Sequence, residues 1–248
     1  MRKNILITGA SSGLGLGMAR EFARRGANLA LCARRLDELQ ALRAELEARH
    51  PGCVVRVRPL DVNDHEQVFA TFRAFRDELG RLDRVVVNAG MGKGASLGTG
   101  YFHANRQTAE TNFVAAIAQC EAALEIFRAQ DDGHLVTISS VAATRGMPRA
   151  STVYAATKAA LSSLTEGIRA DVLRTPIRVT AIHPGFIDTA INAQVRNRPF
   201  LVDLETGARA LVAAIEREPA TAYVPAWPWA LVAFLLRHAP IGVLAKMA

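Results

Sequence analysis

Short apolar runs alternate with longer amphipathic stretches from the first residues to about position 185. The runs at 4–8, 28–33, 53–59, 84–88, 134–139 and 178–183 are apolar or β-branched and predict strands. Between them, the patterns near 13–25, 36–49, 64–79, 104–129 and 154–174 predict helices. Alternation at this pitch predicts an α/β protein with helices on both faces of a parallel sheet. Uninterrupted runs such as Val85, Val86 and Val87 suit strands buried on both sides. No stretch rich in Pro, Gly or Ser interrupts the alternation as a linker would, so residues 1–248 are expected to form a single domain. The glycine-rich piece from Gly90 to Gly94 reads as a loop beside a ligand.

The junction after the first strand carries the first chemical signal. Thr8, Gly9, Ala10, Ser11, Ser12, Gly13, Leu14 and Gly15 lead from strand into helix. Glycines at such a turn allow tight bending and close backbone approach to a phosphate, and the helix N-terminus offers free N–H groups. At the first strand–helix junction of an alternating chain, this predicts a Rossmann-type, doubly wound fold that binds a dinucleotide. The bland alternative is a glycine turn with a serine cap. The end of the second strand should meet the adenosine ribose, where an acidic residue would bind the 2′-hydroxyl of NAD. This chain has Leu31, Cys32, Ala33, Arg34 and Arg35 instead. Two guanidiniums and no carboxylate suit a 2′-phosphate, so NADP(H) is favoured over NAD(H). Otherwise Arg34 and Arg35 simply begin the next helix in solvent.

Composition narrows the function classes. Of 248 residues, 50% are apolar and 21% charged, an ordinary globular balance. The formal net charge of +7 comes mostly from arginines scattered along helix faces, so nucleic acid is not an expected partner. That charge can still draw in anionic ligands such as a dinucleotide phosphate or an acyl carrier. Cys32, Cys53 and Cys120 form no C-x-x-C pair and argue for buried thiols in a reducing compartment. The histidines show no ligand-like spacing, so no metal is expected. Ile5, Leu6 and Ile7 are too short a run for a signal-peptide core, and no run reaches the roughly eighteen apolar residues of a spanning helix. A cytoplasmic protein is expected.

Tyr154 and Lys158 stand four apart on a predicted helix, hence on one face and one turn from each other. A phenol has an ordinary pKa of about 10, and a fixed ammonium nearby draws that value towards neutrality. Ser139 or Ser140, at the end of the fifth strand, puts a hydroxyl beside the phenol to hold a substrate oxygen. The same pairing also arises on solvated helix faces, so the surrounding motifs decide.

Together these segments resemble the short-chain dehydrogenase/reductase family, in order and over nearly the whole chain. Gly9, Ser11, Ser12, Gly13, Leu14 and Gly15 resemble that family's cofactor loop, with Arg34 at the ribose. Asp61 and Val62 resemble the segment that contacts the adenine, and Asn88, Ala89 and Gly90 match the motif closing the fourth strand. Asn112 falls where the family places its catalytic asparagine, and Ser140, Tyr154 and Lys158 match its catalytic serine and Tyr-x-x-x-Lys pair. Pro184, Gly185, Ile187 and Thr189 are similar to its Pro-Gly segment, in which Ile187 and Thr189 meet the nicotinamide carboxamide. The resemblance implies a seven-stranded parallel sheet, with the last strand near 222–224, and hydride transfer between nicotinamide C4 and the carbon of a carbonyl or secondary alcohol. In it Tyr154 is the general acid/base, while Lys158 lowers the tyrosine pKa and holds the nicotinamide ribose. Ser140 donates to the substrate oxygen, and Asn112 holds a water that relays protons between Lys158 and solvent. An asparagine within the run 112–116 is costly without a partner. His183 is expected to pack rather than to act as a base.

Substrate choice is expected from a loop over 190–202, which carries Asn192, Arg196 and Arg198, and from the loops after Gly90 and Ser140. The apolar tail 225–248 holds both tryptophans, Trp227 and Trp229. It reads as a lid on the pocket, a contact with a second subunit, or an amphipathic segment at a membrane surface. A bulky, apolar carbonyl or alcohol is the favoured substrate. The alternatives are a 3-oxoacyl group on a carrier, a non-catalytic NADP(H) sensor, and a membrane-peripheral protein. The resemblance further implies a homodimer or homotetramer, with helices near 104–129 and 154–174 pairing across a two-fold axis through Ala115, Ala116, Ala118 and Ala122.

Overall fold

The computed structural model describes residues 2–193, 195 and 197–246. One parallel sheet is built from β1 Asn4–Thr8, β2 Asn28–Ala33, β3 Val55–Pro59, β4 Arg84–Val87, β5 His134–Ile138, β6 Arg178–Pro184 and β7 Thr221–Val224. Its order is β3-β2-β1-β4-β5-β6-β7. The helices are α1 Gly13–Arg24, α2 Leu36–Arg49, α3 His65–Leu79, α4 Phe102–Ala109, α5 Ala115–Gln130, α6 Ser151–Asp171, α7 Leu204–Glu216, α8 Ala226–His238 and α9 Ile241–Ala245.

The two-residue period of the strands assigns each apolar side chain to a layer. Ile5, Ile7, Leu29, Leu31, Val86 and Ile182 point to one face, against Met18 and Phe22 of α1, Leu39 and Leu42 of α2, and Leu211 and Ile215 of α7. Leu6, Ala30, Cys32, Val85, Val87 and Leu135 point to the other, against Phe72 and Phe75 of α3, Ala123 and Phe127 of α5, and Leu161 of α6. Asp64 caps α3 by accepting from the Gln67 N–H, and Gly80 ends it in the left-handed region.

Several boundaries differ from expectation for local reasons. β3 begins at Val55 rather than 53, because the Val54 N–H is taken by the Asn28 side chain. β4 stops at Val87, where Asn88 turns its amide back to the Thr8 carbonyl. The helix expected over 104–129 is interrupted by a π-helical turn, Glu110–Val114, which no periodicity signal marks. Helix α7 lies beyond the last helix read from the pattern, although Asp203 caps it and Leu211, Val212 and Ile215 form its buried stripe. The alanine face proposed for subunit pairing is turned inward. Ala115, Ala116 and Ala122 are buried in the sheet-facing core and Ala118 is partly buried, while α5 presents Ile117 and Glu121 outward. Cys32 and Cys120 are buried, but Cys53 is only partly so.

At the amino ends of the strands, Arg84 is 1% exposed. Its Nε donates to His134 Nδ1 at 2.8 Å, its Nη2 meets Glu218 at 3.3 Å, and its guanidinium lies 5.7 Å from the centre of the Phe22 ring. Burial and the neighbouring Arg84 and Arg2 hold His134 well below the usual histidine range, so its ring is neutral and serves Arg84 as an acceptor. Glu218 is thus the nearby carboxylate that compensates a buried cation. Replacing Glu218 with Gln is expected to cost about 2 kcal/mol, and adding Arg84→Met should recover part of it, because an isolated buried charge costs more than no charge. Urea unfolding of both variants checks this; a double variant less stable than Glu218→Gln alone contradicts it.

Candidate active site

The sheet order reverses at β1, which has β2 on one side and β4 on the other. Chain connections leave this point in opposite directions and open a crevice at the carboxyl ends of the strands. Thr8 Oγ1 pins its floor, accepting from the backbone N–H groups of Asn88 and Ala89 at 3.0 Å each. Asn88 Nδ2 donates to the Thr8 carbonyl at 2.8 Å, so this amide ties β4 to β1.

A cleft of about 270 Å³ occupies the crevice. Gly9, Ser11, Ser12, Gly13 and Leu14 line it above β1, and Arg34, Asp61 and Val62 line it on the β2–β3 side. Asn88, Ala89 and Gly90 line it above β4; Ser140, Tyr154, Lys158, Pro184, Gly185, Ile187 and Thr189 line it on the β5–β6 side. Two of the expected residues stand behind this wall. Gly15 packs under the loop, where a Cβ would fall 2.4 Å from the Gly9 carbonyl oxygen, and Asn112 lies behind Met91.

The glycine loop fits a pyrophosphate. Gly13 has φ +54°, a conformation that favours glycine. Ser12 occupies the N-cap position of α1 without a capping side-chain hydrogen bond, and the first turn carries no acid. The helix end therefore keeps its positive character for an anionic ligand. At the ribose end, Arg34 and Arg35 are both exposed and both line the cleft. Arg35 Nη2 donates to Ser11 Oγ at 3.1 Å, which draws a guanidinium over the loop. Both guanidiniums of the expected doublet thus stand at the cleft, Arg35 as well as Arg34. Asp61 is held in a turn, its Oδ1 accepting from the Asn63 N–H at 3.0 Å.

On the opposite side the two candidate serines separate. Ser139 Oγ is 3.0 Å from the Lys158 carbonyl and 2.7 Å from Ser162 Oγ, so it is spent on α6. Ser140 accepts from the Ala142 N–H at 3.1 Å, and its hydroxyl lies close enough to the Tyr154 phenol to act against the rise in that group's pKa. Its backbone carbonyl meets His183 Nδ1 at 3.2 Å, which requires the proton to sit on that nitrogen. His183 also packs against Tyr223, with ring centres 5.1 Å apart, and burial lowers its pKa.

Lys158 is buried and donates to the Ile138 carbonyl at 2.8 Å; burial lowers its pKa to about 8. Its Nζ lies 6.0 Å from the centre of the Tyr154 ring. That ring is partly accessible at the cleft wall, but burial of its phenol raises the pKa above the ordinary value, with the nearby Ser140 hydroxyl acting the other way. In the protein alone the direction is thus opposite to the lowering expected from Lys158. The ammonium is itself weakened and is directed at Ile138.

Asn112 is buried within the π-helical turn. Its Oδ1 accepts from the Met91 N–H at 2.8 Å, and its Nδ2 donates to the Met91 carbonyl at 2.9 Å and to Thr157 Oγ1 at 3.3 Å. The cost of a buried amide is met by this pairing, which fixes the loop after Gly90. Met91 and Ile191 also line the cleft and add apolar surface.

The tail closes the β6 side. The Trp229 indole lies so close to Gly185 that any Cβ there would overlap it, and it meets Phe186 and Phe200 edge-on at ring-centre distances of 5.7 and 5.9 Å. Trp229 and Leu236 of α8, with Leu244 of α9, form a small core with Val141 beside Met147 and Tyr223. In the loop 190–202, Asn192 Nδ2 donates to the Ile187 carbonyl at 2.8 Å, and Arg198 pairs with Asp188 at 2.7 Å. Arg196 lies outside the described residues.

A family model described as short chain dehydrogenase matches residues 3–199. An uncharacterized oxidoreductase of Mycobacterium tuberculosis is 54% identical over 247 residues, covering 100% of this chain and 98% of the relative. An uncharacterized oxidoreductase of Myxococcus xanthus is 37% identical over 230 residues, covering 92% of this chain and 88% of the relative. Among solved structures, an alcohol dehydrogenase from the archaeon Thermococcus sibiricus complexed with 5-hydroxy-NADP superposes with a TM-score of 0.79 at 26% identity, covering 89% of this chain and 95% of that one. An NADPH-dependent 3-quinuclidinone reductase from Rhodotorula rubra superposes with a TM-score of 0.76 at 27% identity, covering 87% and 84%.

Holding Lys158 near pKa 8, against an ordinary 10.5, has a stability consequence. Between those values the unfolded chain binds more protons than the folded one, so stability rises with pH across that window. Below it the folded protein carries a penalty of about 3 kcal/mol for the buried charge. Lys158→Met is therefore expected to be more stable than the parent at pH 7 and to lose most of the rise between pH 8 and 10. Chemical denaturation at several pH values measures both, and a variant destabilised at pH 7 contradicts the reading.

Proposed function

This chain belongs to the short chain dehydrogenase family of oxidoreductases, and on that premise we propose that it is an NADP(H)-dependent enzyme interconverting a bulky, apolar carbonyl compound and its secondary alcohol. The observation that carries the proposal is that Ser140, Tyr154 and a buried Lys158 line one cleft whose far side presents Arg34 and Arg35.

The cofactor reading has two supports. The β2 end offers two guanidiniums and no carboxylate to the ribose, and two of the structural relatives are described with NADP or NADPH. Gly9, Ser11, Ser12, Gly13 and Leu14 would hold the pyrophosphate, Asp61 and Val62 the adenine, and Ile187 and Thr189 the carboxamide. When bound, the nicotinamide supplies or accepts the hydride. Tyr154 gives a proton to the substrate oxygen in reduction and takes it back in oxidation. Ser140, with one lone pair held by the Ala142 N–H, donates its proton to the same oxygen, where negative charge grows. Lys158 places the one buried ammonium of the group beside the phenol and reloads it. Asn112 acts through Met91, positioning the loop that faces the substrate. The aromatic cluster of Trp229, Phe186 and Phe200 behind Gly185, together with Met91 and Ile191 in the cleft wall, supports an apolar substrate.

Tyr154→Phe is expected to lower kcat by about 10²–10⁴-fold while leaving the cofactor Kd within a factor of about two. Equal loss of both would remove Tyr154 from the chemistry. Arg34→Asp should weaken NADPH by about tenfold or more and leave NADH little affected, as loss of a charge-assisted phosphate contact requires. Absorbance assays with both cofactors over a panel of ketones and alcohols read this out, and unchanged preference for NADPH argues against the assignment. Because Tyr154 keeps its proton and Lys158 loses its own near pH 8, reduction should be level through neutrality and decline as pH rises past about 8. A rate that climbs across that range speaks against Lys158 as the proton source.

A further inference from the structure

Helix α8 is apolar on both sides. Its inner side chains, Trp229, Ala233 and Leu236, are buried, while Trp227, Leu231, Phe234 and Leu235 on its outer side are 76%, 45%, 61% and 56% exposed. Ile241 and Val243 of α9 continue the patch at 75% and 50%. A surface helix normally turns polar residues outward, and residues 226–236 contain none with a charge. Uncovered apolar area of this extent marks a contact surface.

Charge decides what the contact is. Residues 225–246 include no Asp or Glu, and their charged side chains are Arg237 and Lys246, with His238 between. Arg145 joins this edge by donating to the Arg237 carbonyl, and Arg169 and Arg237 share a nearby hollow with Glu166. Cations therefore predominate around the apolar face. In a two-fold contact between copies, this acid-free strip would meet itself, bringing like charges together. A bilayer containing anionic lipid supplies what is missing, with acyl chains for Trp227 and Phe234 and phosphates for Arg237 and Lys246. No helix among the described residues is long and apolar enough to cross a membrane, which fits a segment lying in the interface plane.

We propose that the outer face of α8 and α9 docks the protein on an anionic phospholipid surface. Docking stands independently of the reaction at Tyr154. It brings the cleft close to the bilayer, because Trp229 on the inner side of α8 packs against Gly185 in the cleft wall. If the substrate reading above also holds, an apolar substrate dissolved in the membrane has a short route to the site.

Co-sedimentation of the full chain with vesicles tests this, using phosphatidylcholine alone and phosphatidylcholine mixed with a third of phosphatidylglycerol. The protein is expected to pellet with the mixed vesicles and to be released by added salt. Trp227→Ser combined with Phe234→Ser should reduce partitioning by about tenfold or more, and Arg237→Glu should weaken binding to the mixed vesicles. Trp227→Phe retains binding but loses the blue shift in tryptophan emission, since Trp229 is already buried. That measurement on a conservative variant does not depend on the serine substitutions folding well. Failure of the parent chain to bind mixed vesicles overturns the proposal, as does undiminished binding by a folded double-serine variant. A dimer in sedimentation equilibrium that the serine substitutions dissociate, without vesicle binding, assigns the face to a second copy and also overturns it.

Discussion

A parallel sheet covered by helices on both faces leaves its polar chemistry to the strand ends. Side chains along the strands meet two apolar layers, and an unpaired polar atom there is expensive. At the carboxyl ends of this sheet lie Gly9, Arg34, Asp61, Asn88, Ser140 and Pro184, each just beyond or at the last residues of its strand. At the amino ends lie Arg84, His134 and Glu218, which pair with one another and leave Arg84 Nη1 without a partner among the described residues. The cleft opens at the end where the strand order reverses, and the buried ion group stands at the other.

The same constraint explains the state of the lysine. Lys158 reaches the cleft only by entering the sheet-facing side of α6, where desolvation weakens its ammonium and the Ile138 carbonyl compensates in part. Tyr154 on the preceding turn is pushed the other way, towards keeping its proton. Burial disfavours the charged form of each, so it drives the two groups apart in proton affinity, the phenol upward from its ordinary 10 and the ammonium down to about 8. In the protein alone the proton is therefore held more firmly by Tyr154 than by Lys158, and a buried ammonium below pH 8 is a cost that the fold bears.

Much of this was legible in the sequence because it is written locally. The glycine loop, Asn88 to Gly90 and the Tyr154–Lys158 spacing are short-range patterns, and the cleft gathers them as their positions at strand ends demand. Choosing Ser140 over Ser139 needed the family pattern, since only packing shows that Ser139 turns to Ser162. The place of Arg35 was open in the sequence, because a helix-starting arginine looks the same whether it faces solvent or folds over Ser11. The alanines of α5 were misread because small residues suit close approach to any neighbour, and here that neighbour is the protein's own core. The tail was recognised as unusual, but that its two tryptophans face opposite ways follows from helix packing alone.

The π-helical turn Glu110–Val114 adds a length requirement to the site. Such a turn accommodates one residue more than a regular α-helix over the same rise. A deletion of a single residue within 102–130 would let the ladder close regularly, a locally favourable repair. The repair would rotate everything before it by roughly 100° about the helix axis, carrying Asn112 away from Met91 or α4 away from its seat. Spacing, and not only residue identity, therefore keeps Asn112 against Met91.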